Sequence, residues 1–448
     1  MLSKKKDTHQ NSMFFGLEDM LSQKHPMYIL ANKVDWQLFE DSFSPLYCSD
    51  NGRPAKPIRL MVGLLIIKHL RNISDESVVE QWSENNYYQY FCGEQFFQPC
   101  EPCEASELVH FRHRIGESGI ELILKESIRI NGNDSHDSTA SIDTTVQEKN
   151  ITFPTDSKLH RKIIDKCKKI AAKENLPLRQ SYTRTLKRLS LDQRFRNHPL
   201  NKSKARKADR KEKTIAGRLV RELERNLLPD SRYKQDIDLF KRILGQKKSD
   251  KNKIYSVHEP DVQCISKGKE HKKYEFGNKV SIIYTQTTGV IVGAMGFRNP
   301  YDGHTIEPAL EQTERLLGKR TIKTLIGDRG YKGKRQINDT TIEIPKPFNS
   351  RKQSLYQQNK LKKQFKRRAA IEPINGHLKT DHRLNRNFYK GITGDNINVM
   401  LAAAAFNFKR MMNKWKSSFW LEFKIQIVDL INSMFYQINN QIILKWAF

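Results

Sequence analysis

Three carboxylates in the sequence occupy segments that could bring them together for chemistry. Asp143 lies within TASIDTTV and Asp328 follows TIKTLIG, two runs rich in β-branched residues that predict strands, while Glu372 lies in a stretch predicted to be helical. Clustered carboxylates repel one another unless divalent cations lie among them. Hard oxygen ligands suit Mg²⁺ or Mn²⁺, and two such ions about 4 Å apart can promote in-line displacement at a phosphodiester. The pattern indicates metal-dependent cutting of nucleic acid, although 50 acidic residues also allow accidental triplets.

The stretch Phe365–Lys379, FKRRAAIEPINGHLK, would carry the third carboxylate. As one helix with 3.6 residues per turn, it would place Arg368, Glu372 and Lys379 on a single face, with the carboxylate between two cations. A solvated helix that pairs its charges at i and i+4 is the alternative. Pro373 cannot donate the helical hydrogen bond, so we expect the helix to kink or restart there. The single-face arrangement requires that kink to be mild.

The overall charge favours a polyanionic partner. The chain has 448 residues, a formal net charge of +29 and a pI near 9.7, and its 37% hydrophobic residues can bury a core for two or three domains. Nucleic acid is the leading candidate. An anionic membrane surface is the competitor, but no run of about 18 apolar residues is present to span a bilayer. Six irregularly placed cysteines, and no apolar segment after the first lysines, predict a cytoplasmic protein.

Residues 1 to about 130 are predicted to be mainly helical. Met61–Leu70 is apolar nearly all round, as in a buried helix, Asn72–Trp82 contains Ser74 as its N-cap, and Ala105–Ile130 forms a second helical block. Between these segments lies a group of aromatic residues for which packing between helices is favoured over contact with nucleic-acid bases: Tyr87, Tyr88, Tyr90, Phe91, Phe96 and Phe97.

A C-x2-C pair follows the aromatic group. Cys100 and Cys103 precede His110 and His113, which invites a zinc interpretation. The separation is shorter than in zinc fingers, so unpaired structural thiols are favoured and zinc is the minor alternative.

Strands are predicted on both sides of a long basic segment. The first is Thr139–Val146, after the turn-forming run 131–138. The later strands are 274–285 and 289–297, which would form a hairpin, then 321–326 and 342–345. A loop, NPYDGH at 299–304, and a helix from about Thr305 to Leu317 follow the hairpin. This order of strands and helices predicts a mixed α/β sheet.

Residues 158 to about 253 differ from their surroundings in being long, basic and helical in pattern. Lys204–Lys213 carries six cations in ten residues, while Ile215, Leu219 and Leu223 keep an apolar period near four. An ordinary solvated face is the alternative, but the length of the segment favours contacts to a polyanion backbone. Two C-terminal segments complete the chain, an Ala-rich core helix at 397–415 and an apolar, Asn/Gln-rich stretch at 419–448 that could form a helix hairpin or a dimer contact.

These ordered segments are similar to those of bacterial insertion-sequence DDE transposases of the insertion-sequence-five type, with an InsH-like N-terminal domain. Residues 52–94 resemble the N-terminal domain of that family, SIDTTV the position of its first Asp, NPYDGH its loop, and IGDRGYKG its second Asp. The third motif, Y-x2-R-x3-E-x6-K/R, matches at Phe365, Arg368, Glu372 and Lys379. Phe365 replaces the usual Tyr, keeping the ring and deleting the hydroxyl. The resemblance spans roughly residues 13 to 415.

The resemblance implies an α/β fold, namely an RNase H-like mixed-sheet catalytic core that is interrupted by the basic helical insertion and preceded by an α-helical N-terminal domain. Asp143 and Asp328 would lie at the ends of adjacent strands, and Glu372 on a later helix. The implied domains are 1–135 for DNA-end binding and dimerisation, 136–157 and 254–415 for the two parts of the core, 158–253 for the insertion and 416–448 for a C-terminal helical extension.

The resemblance also implies a function. Asp143, Asp328 and Glu372 would be catalytic and would hold two Mg²⁺ or Mn²⁺ ions. The enzyme would bind the terminal inverted repeats of a mobile element, cleave the DNA and join the freed 3′-hydroxyl to target DNA, as a homo-oligomer assembled on DNA ends, associated with the nucleoid and not with a membrane. The residues expected to contact DNA are Arg368, Lys379, Arg329, Tyr331 and His304 from the motifs, and Lys204, Arg206 and Lys207 from the basic insertion.

Alternatives remain for single residues and for the whole chain. Arg368 and Lys379 could instead form ion pairs with Glu372, and a loop-capping role for Asp302 and His304 is as well supported as a catalytic or DNA-binding one. The chain could also be a non-catalytic, decayed transposase that still binds DNA, or an RNase H-like nuclease that cuts but does not join.

Overall fold

The structure of the chain is a computed structural model that describes residues 16–48, 52–228, 231–247, 249–266, 272–333, 335–344 and 354–417. It is a mixed α/β fold with two compact units. The first contains the described residues up to Gln147, Lys279–Tyr389, and those from Thr393 onward. The second contains Glu148–Asn278 and Lys390–Ile392.

The first unit begins with seven helices in the described residues: α1 Leu17–Met20, α2 Pro26–Lys33, α3 Trp36–Phe43, α4 Ile58–Arg71, α5 Asp75–Glu84, α6 Asn86–Phe91 and α7 Ala105–Ile130. Helix α4 is buried nearly all round, as predicted, and ends at Asn72 in the left-handed conformation that commonly closes a helix. Ser74 caps α5 by accepting a hydrogen bond from the Ser77 amide at 3.1 Å. These helical predictions are confirmed.

Most apolar residues of these helices share one cluster with residues of the sheet, while Leu17, Leu21 and Tyr28 form a small cluster of their own. Tyr88 and Phe91 are buried in this cluster, in agreement with the predicted packing role of the aromatic group. Cys103 is also buried there, whereas Cys100 is exposed.

Within the described residues the sheet contains eight strands, in the order β2-β3-β1-β5-β7-β6, with β4 pairing β3 and β8 pairing β1. Strands β3 and β4 form the predicted antiparallel hairpin, while β5 is parallel to both β1 and β7. The mixed sheet is therefore confirmed. Its strands are β1 Thr139–Lys149, β2 Gln263–Ser266, β3 Tyr274–Thr285, β4 Ile291–Phe297, β5 Thr324–Ile326, β6 Gln336–Ile337, β7 Thr340–Glu343 and β8 Arg386–Asn387.

Helices cover the sheet of the first unit. They are α12 Ile306–Leu317, α13 Leu355–Arg368, α14 Ile371–Asp381 and α15, which spans 391–417. The Ala-rich part of α15 is buried, as predicted. Asn407 on α15 satisfies the backbone of β4, because its side chain accepts from the Ile291 amide at 3.0 Å and donates to the Ile291 carbonyl at 2.8 Å. The predicted C-terminal segment 419–448 lies outside the described residues.

The second unit contains four helices in the described residues: α8 Asp156–Lys173, α9 Thr183–Asp192, α10 Pro199–Asn226 and α11 Lys234–Gly245. They have an apolar cluster of their own. Ile215, Leu219 and Leu223 lie in that cluster, as their spacing predicts, while Lys204, Arg206 and Lys207 are exposed. No helix in the described ranges of the chain is long and apolar enough to cross a membrane.

Candidate active site

The pairing of β1 with β5 positions the two aspartates. The strands are parallel neighbours, and Ser141 in β1 is the partner of Ile326 in β5. Asp143 and Asp328 each follow one of these partners by two positions. Because parallel strands run in register, Asp143, which lies inside β1, comes level with Asp328, which lies just beyond the end of β5, and each is half-buried.

The turn after β5 fixes the Asp328 carboxylate. Its Oδ1 accepts a hydrogen bond from the Gly330 amide at 2.7 Å, an arrangement in which an aspartate side chain closes its own turn. A Cβ placed on Gly330 would lie 2.8 Å from Asp328 Oδ1 and 3.1 Å from Asp302 Oδ2. Glycine is therefore required at this position because two carboxylates converge on it.

Asp302, from the NPYDGH loop, is the third carboxylate at this edge of the sheet. Its Oδ1 accepts from Thr144 Oγ1 at 3.0 Å and forms an ion pair with Lys279 Nζ at 3.0 Å. Lys279 also donates to the Pro300 carbonyl at 2.7 Å, which holds the loop against β3. Asp302 thus connects the residue after Asp143 to the turn that carries Asp328.

Tyr331 lies among these carboxylates and is 1% exposed. Burial raises its pKa well above the usual range, and the negative charges of Asp143, Asp302 and Asp328 raise the pKa further. Within the described part of the chain its hydroxyl has no hydrogen-bond partner that meets normal geometry. The ring also packs on Gly327, where a Cβ would come within 3.1 Å of it. Tyr331 is therefore a buried support for the Asp328 turn.

The third carboxylate that the sequence predicts, Glu372, lies on a helix and not on the sheet. Of the forms expected over Phe365–Lys379, the continuous helix is wrong and a restart near Pro373 is confirmed, because α13 ends at Arg368 and α14 begins at Ile371. The amide of Ala370 bonds to the carbonyl of Arg367 at 3.1 Å, the tighter spacing of a helix end. Pro373 falls at the third position of α14, where a missing N–H leaves no gap in the helical ladder.

The break between α13 and α14 brings both helices to Asp143. Arg368 Nη1, at the end of α13, lies 3.9 Å from Asp143 Oδ1, and Asn375 Nδ2, in α14, donates to Asp143 Oδ2 at 3.2 Å. The Arg368 carbonyl accepts from the Tyr284 hydroxyl at 3.0 Å, which fastens the end of α13 to β3. Glu372 precedes Asn375 by three residues, so it lies one turn away on a similar face and is exposed.

The donor chemistry of this site suits a hard divalent cation. Mg²⁺ is commonly held by one or two carboxylates together with substrate phosphates, and Asp143 and Asp328 supply such a pair. Among the described residues, no three Asp, Glu, His or Cys side chains lie close enough together to hold a metal ion. The structure therefore brings the two aspartates together at one end of the sheet and leaves Glu372 outside any three-ligand group.

Comparison with known proteins identifies the kind of enzyme to which this geometry belongs. Residues 15–114 match a family described as a transposase domain (DUF772), and residues 253–408 match the transposase DDE domain. The chain belongs to the insertion-sequence DDE transposases. It is also 41% identical over 187 residues to the uncharacterized protein ORF8 in the nfe locus of Rhizobium meliloti, covering 41% of this chain and 90% of that protein. No solved structure matches the chain significantly.

Membership of this family agrees with the arrangement of the sheet. The DDE domain match covers β2 to β8 and both helices of the third motif, and the mixed sheet is consistent with an RNase H-like core. DNA is the partner that the transposase families imply, and divalent metal ions are the cofactors that DDE domains generally use.

The residues predicted to contact DNA in this transposase have different surroundings. Arg329 is exposed directly after Asp328, and His304 is exposed beside Tyr301, with ring centroids 5.7 Å apart. Lys379 is half-buried on α14, two turns after Glu372. Tyr331 offers no surface to DNA, so its expected contact is replaced by the supporting role described above.

Sequence reasoning missed Lys279, Thr144 and Asn375 as residues of this site. Thr144 adjoins Asp143 and could have been suspected from that position alone. Lys279 and Asn375 carry no local signal, because each acts on an aspartate that is distant in sequence.

Proposed function

We propose that the chain is a catalytically competent transposase that binds the terminal inverted repeats of its element, cleaves the DNA and joins the freed 3′-hydroxyl to target DNA. The observation that supports this most is the register of β1 and β5, which sets Asp143, inside β1, level with Asp328, just beyond the end of the adjacent parallel strand β5. In this proposal the catalytic core is RNase H-like and is interrupted by the basic helical unit, which begins soon after β1.

Asp143 and Asp328 would hold two Mg²⁺ or Mn²⁺ ions, and Glu372 would join them once DNA lies against α14. Such ions activate the attacking oxygen and stabilise the leaving oxygen at a phosphodiester. Asp302 orients the site, because it is held by Lys279 and Thr144 and faces the Asp328 turn. Water attacks the phosphorus, the bond to O3′ breaks, and the released 3′-hydroxyl then attacks a phosphodiester of the target in the same way.

The cations around the site would hold the DNA backbone. Arg368 lies beside Asp143 and can bind a phosphate through two N–H groups, whereas Lys379 acts as a point charge. Arg329 and His304 are exposed on the turns that carry Asp328 and Asp302. Lys204, Arg206 and Lys207 would contact DNA phosphates from the exposed face of α10. Assembly as a homo-oligomer on DNA ends, in the nucleoid, completes the proposal.

Cleavage and joining of an oligonucleotide that carries the element end test the catalytic proposal. Purified protein with Mg²⁺ or Mn²⁺ should nick the end and join it to a plasmid, and Asp328→Asn should abolish both reactions while end binding persists. Cutting without joining would identify a nuclease without strand transfer. Binding without cutting, in the wild type, would identify a decayed relative.

The salt dependence of DNA binding tests the role of α10. Replacing Lys204, Arg206 and Lys207 together by Ala should make the slope of log K against log salt shallower by up to about three, because each lost phosphate contact removes roughly one unit. The matched control replaces Lys168, Lys169 and Lys173 on α8, which removes the same charge. Equal effects of the two triple variants would show that only net charge matters and would remove α10 from the interface.

A further inference from the structure

The turn between α9 and α10 in the second unit displays apolar side chains to solvent. Phe195 is 83% exposed, Leu200 88% and Leu191 51%. None of the three belongs to the apolar cluster of that unit, although Leu186 and Leu189 of the same helix do. The sequence therefore buries one face of α9, while Leu191 at its end, Phe195 in the following turn and Leu200 at the start of α10 point to solvent.

This turn is held in place by buried and half-buried polar contacts. Gln193 donates to Asp209 Oδ1 at 2.9 Å and to Glu212 Oε2 at 2.8 Å, and Glu212 is fully buried. Arg196, one residue after Phe195, forms an ion pair with Asp209 at 2.8 Å. Asn201 reaches back to the Asp192 carbonyl at 3.3 Å. Residues on both sides of Phe195 are thus fixed to α10.

The backbone at Phe195 is in an unfavourable conformation. Its φ of +50° lies in the left-handed region, which bulky side chains rarely adopt. The Phe195 carbonyl accepts a hydrogen bond from the His198 amide at 2.9 Å, which closes the turn. A fixed turn that holds a phenylalanine outward in a disfavoured conformation points to a use for the exposed ring.

The surroundings of the ring are cationic. Exposed cations flank it along α9, the turn and the start of α10: Arg188, Arg194, Lys202, Arg206 and Lys207. Aromatic and aliphatic side chains bordered by Arg and Lys suit a ligand that has flat apolar faces between phosphates, which is a nucleic acid. An anionic membrane would meet the same charges, but in this chain the family implies DNA as the partner.

We propose that Phe195 inserts between neighbouring bases of bound DNA, with Leu200 beside the opened step, while the flanking cations hold the phosphates. The proposal rests on the DNA binding proposed above and adds that the second unit distorts the duplex. Insertion unstacks a base step, so DNA that is already unstacked by a mismatch is bound more tightly than matched DNA. The preference for mismatched DNA therefore depends on the Phe195 ring and not on the flanking cations.

The test compares two probes, a mixed-sequence duplex and the same duplex with a central mismatch, each carrying 2-aminopurine beside the centre. Wild-type full-length protein should raise 2-aminopurine fluorescence and bind the mismatched duplex about 5- to 100-fold more tightly, because the mismatch removes part of the cost of unstacking the step. Phe195→Asn removes the ring and suits the left-handed backbone, so it should abolish the preference without unfolding the turn. Phe195→Trp should retain the preference.

The matched control is Leu228→Ala. Leu228 is 79% exposed just beyond the other end of α10, roughly 40 Å away at 1.5 Å per helical residue. Leu228→Ala should leave both the 2-aminopurine fluorescence and the preference for the mismatched duplex unchanged. Phe195→Asn should leave the salt dependence of DNA binding unchanged. A mismatch preference that survives in Phe195→Asn, or wild-type binding without any preference, overturns the insertion while leaving DNA binding intact.

Other outcomes separate the two proposals. Wild-type protein that shows no salt-dependent binding to either probe contradicts the proposed function itself. If vesicles containing phosphatidylserine are bound, and Phe195→Asn abolishes that binding while the preference for the mismatched duplex is unchanged, the ring serves a membrane surface and the insertion into DNA is wrong.

Discussion

The candidate site combines two regions that are built in different ways. At the sheet edge, Asp143 and Asp328 are set by strand register, and Asp302 is held by Thr144 and Lys279. In the helix pair α13 and α14, Glu372 is exposed near the break between the two helices, and its neighbours Arg368 and Asn375 contact Asp143. The carboxylates at the sheet edge are held by contacts within the protein, whereas the exposed Glu372 can be placed by what binds.

This difference indicates that the two regions act at different steps, the aspartates in binding the cation and Glu372 once DNA is bound. Preorganised carboxylates can take up a cation before DNA arrives, because their mutual repulsion is already present in the folded protein. A carboxylate at the start of a short helix can join later, when DNA phosphates supply further ligands. The contrast therefore predicts which substitutions act on the free protein and which act only on the complex with DNA.

The largest expected effect separates metal binding from cleavage. In the absence of DNA, Asp143→Asn and Asp328→Asn should each weaken Mn²⁺ binding by at least about tenfold, which corresponds to 1.4 kcal/mol of lost interaction. Glu372→Gln should leave that affinity nearly unchanged and still abolish cleavage. Titration calorimetry on the free protein measures the first quantity and an end-cleavage assay the second. If Glu372→Gln weakens Mn²⁺ binding as much as the aspartate variants, the two regions act as one preformed centre.

Two glycine substitutions compare how tightly the sheet edge and helix α14 are constrained. Gly330→Ala places a Cβ 2.8 Å from Asp328 Oδ1, so the carboxylate must move, and a displacement of about 1 Å can lower the cleavage rate roughly 100-fold. Gly376→Ala in α14 meets no atom within 4 Å and should instead raise the free energy of unfolding by about 1 kcal/mol, with cleavage unchanged. Cleavage kinetics and urea unfolding measure both variants. A large loss of cleavage in Gly376→Ala would show that α14 is as tightly constrained as the sheet edge.

The smallest expected effect concerns the hydroxyl of Tyr331. Tyr331→Phe removes a buried hydroxyl that interacts with Thr144 but makes no hydrogen bond of normal geometry to the described residues, so stability should change by no more than about 1 kcal/mol. Cleavage should be nearly unchanged, because the ring supports the Asp328 turn through packing. Thermal unfolding and the end-cleavage assay check this. A marked fall in cleavage with stability preserved would mean that the hydroxyl serves the site when DNA is bound.

Much of the sheet edge could be predicted from the sequence, because β-branched runs before Asp143 and Asp328 identify strands directly. The pairing of those strands could not be read locally, since it joins segments far apart in the chain. The ordered motifs of the family supplied that relation by resemblance, and the structure shows the register.

The helix pair was predicted less well, and the reason is local. Periodicity alone places Arg368, Glu372 and Lys379 on one face, but it assumes that the helix is continuous. Pro373 is tolerated in the first turn of a helix, so it marks a new start at Ile371 more readily than a mild kink. The exposed Phe195 had no sequence signal at all, because an apolar residue in a turn is ordinarily expected to fold back onto a core.

The placement of the second unit has a consequence for folding. Strand β1 ends at Lys149 and its neighbour β3 begins at Tyr274, so the sheet must join strands across a very long connection. Closing an unstructured loop of that length carries an entropy penalty that grows with the logarithm of its length, and non-local pairing slows folding. Because helices α8 to α11 have their own apolar cluster, they can fold independently of the sheet. Their folding would shorten the unstructured part of the connection and so lower the entropy penalty for pairing β3 with β1.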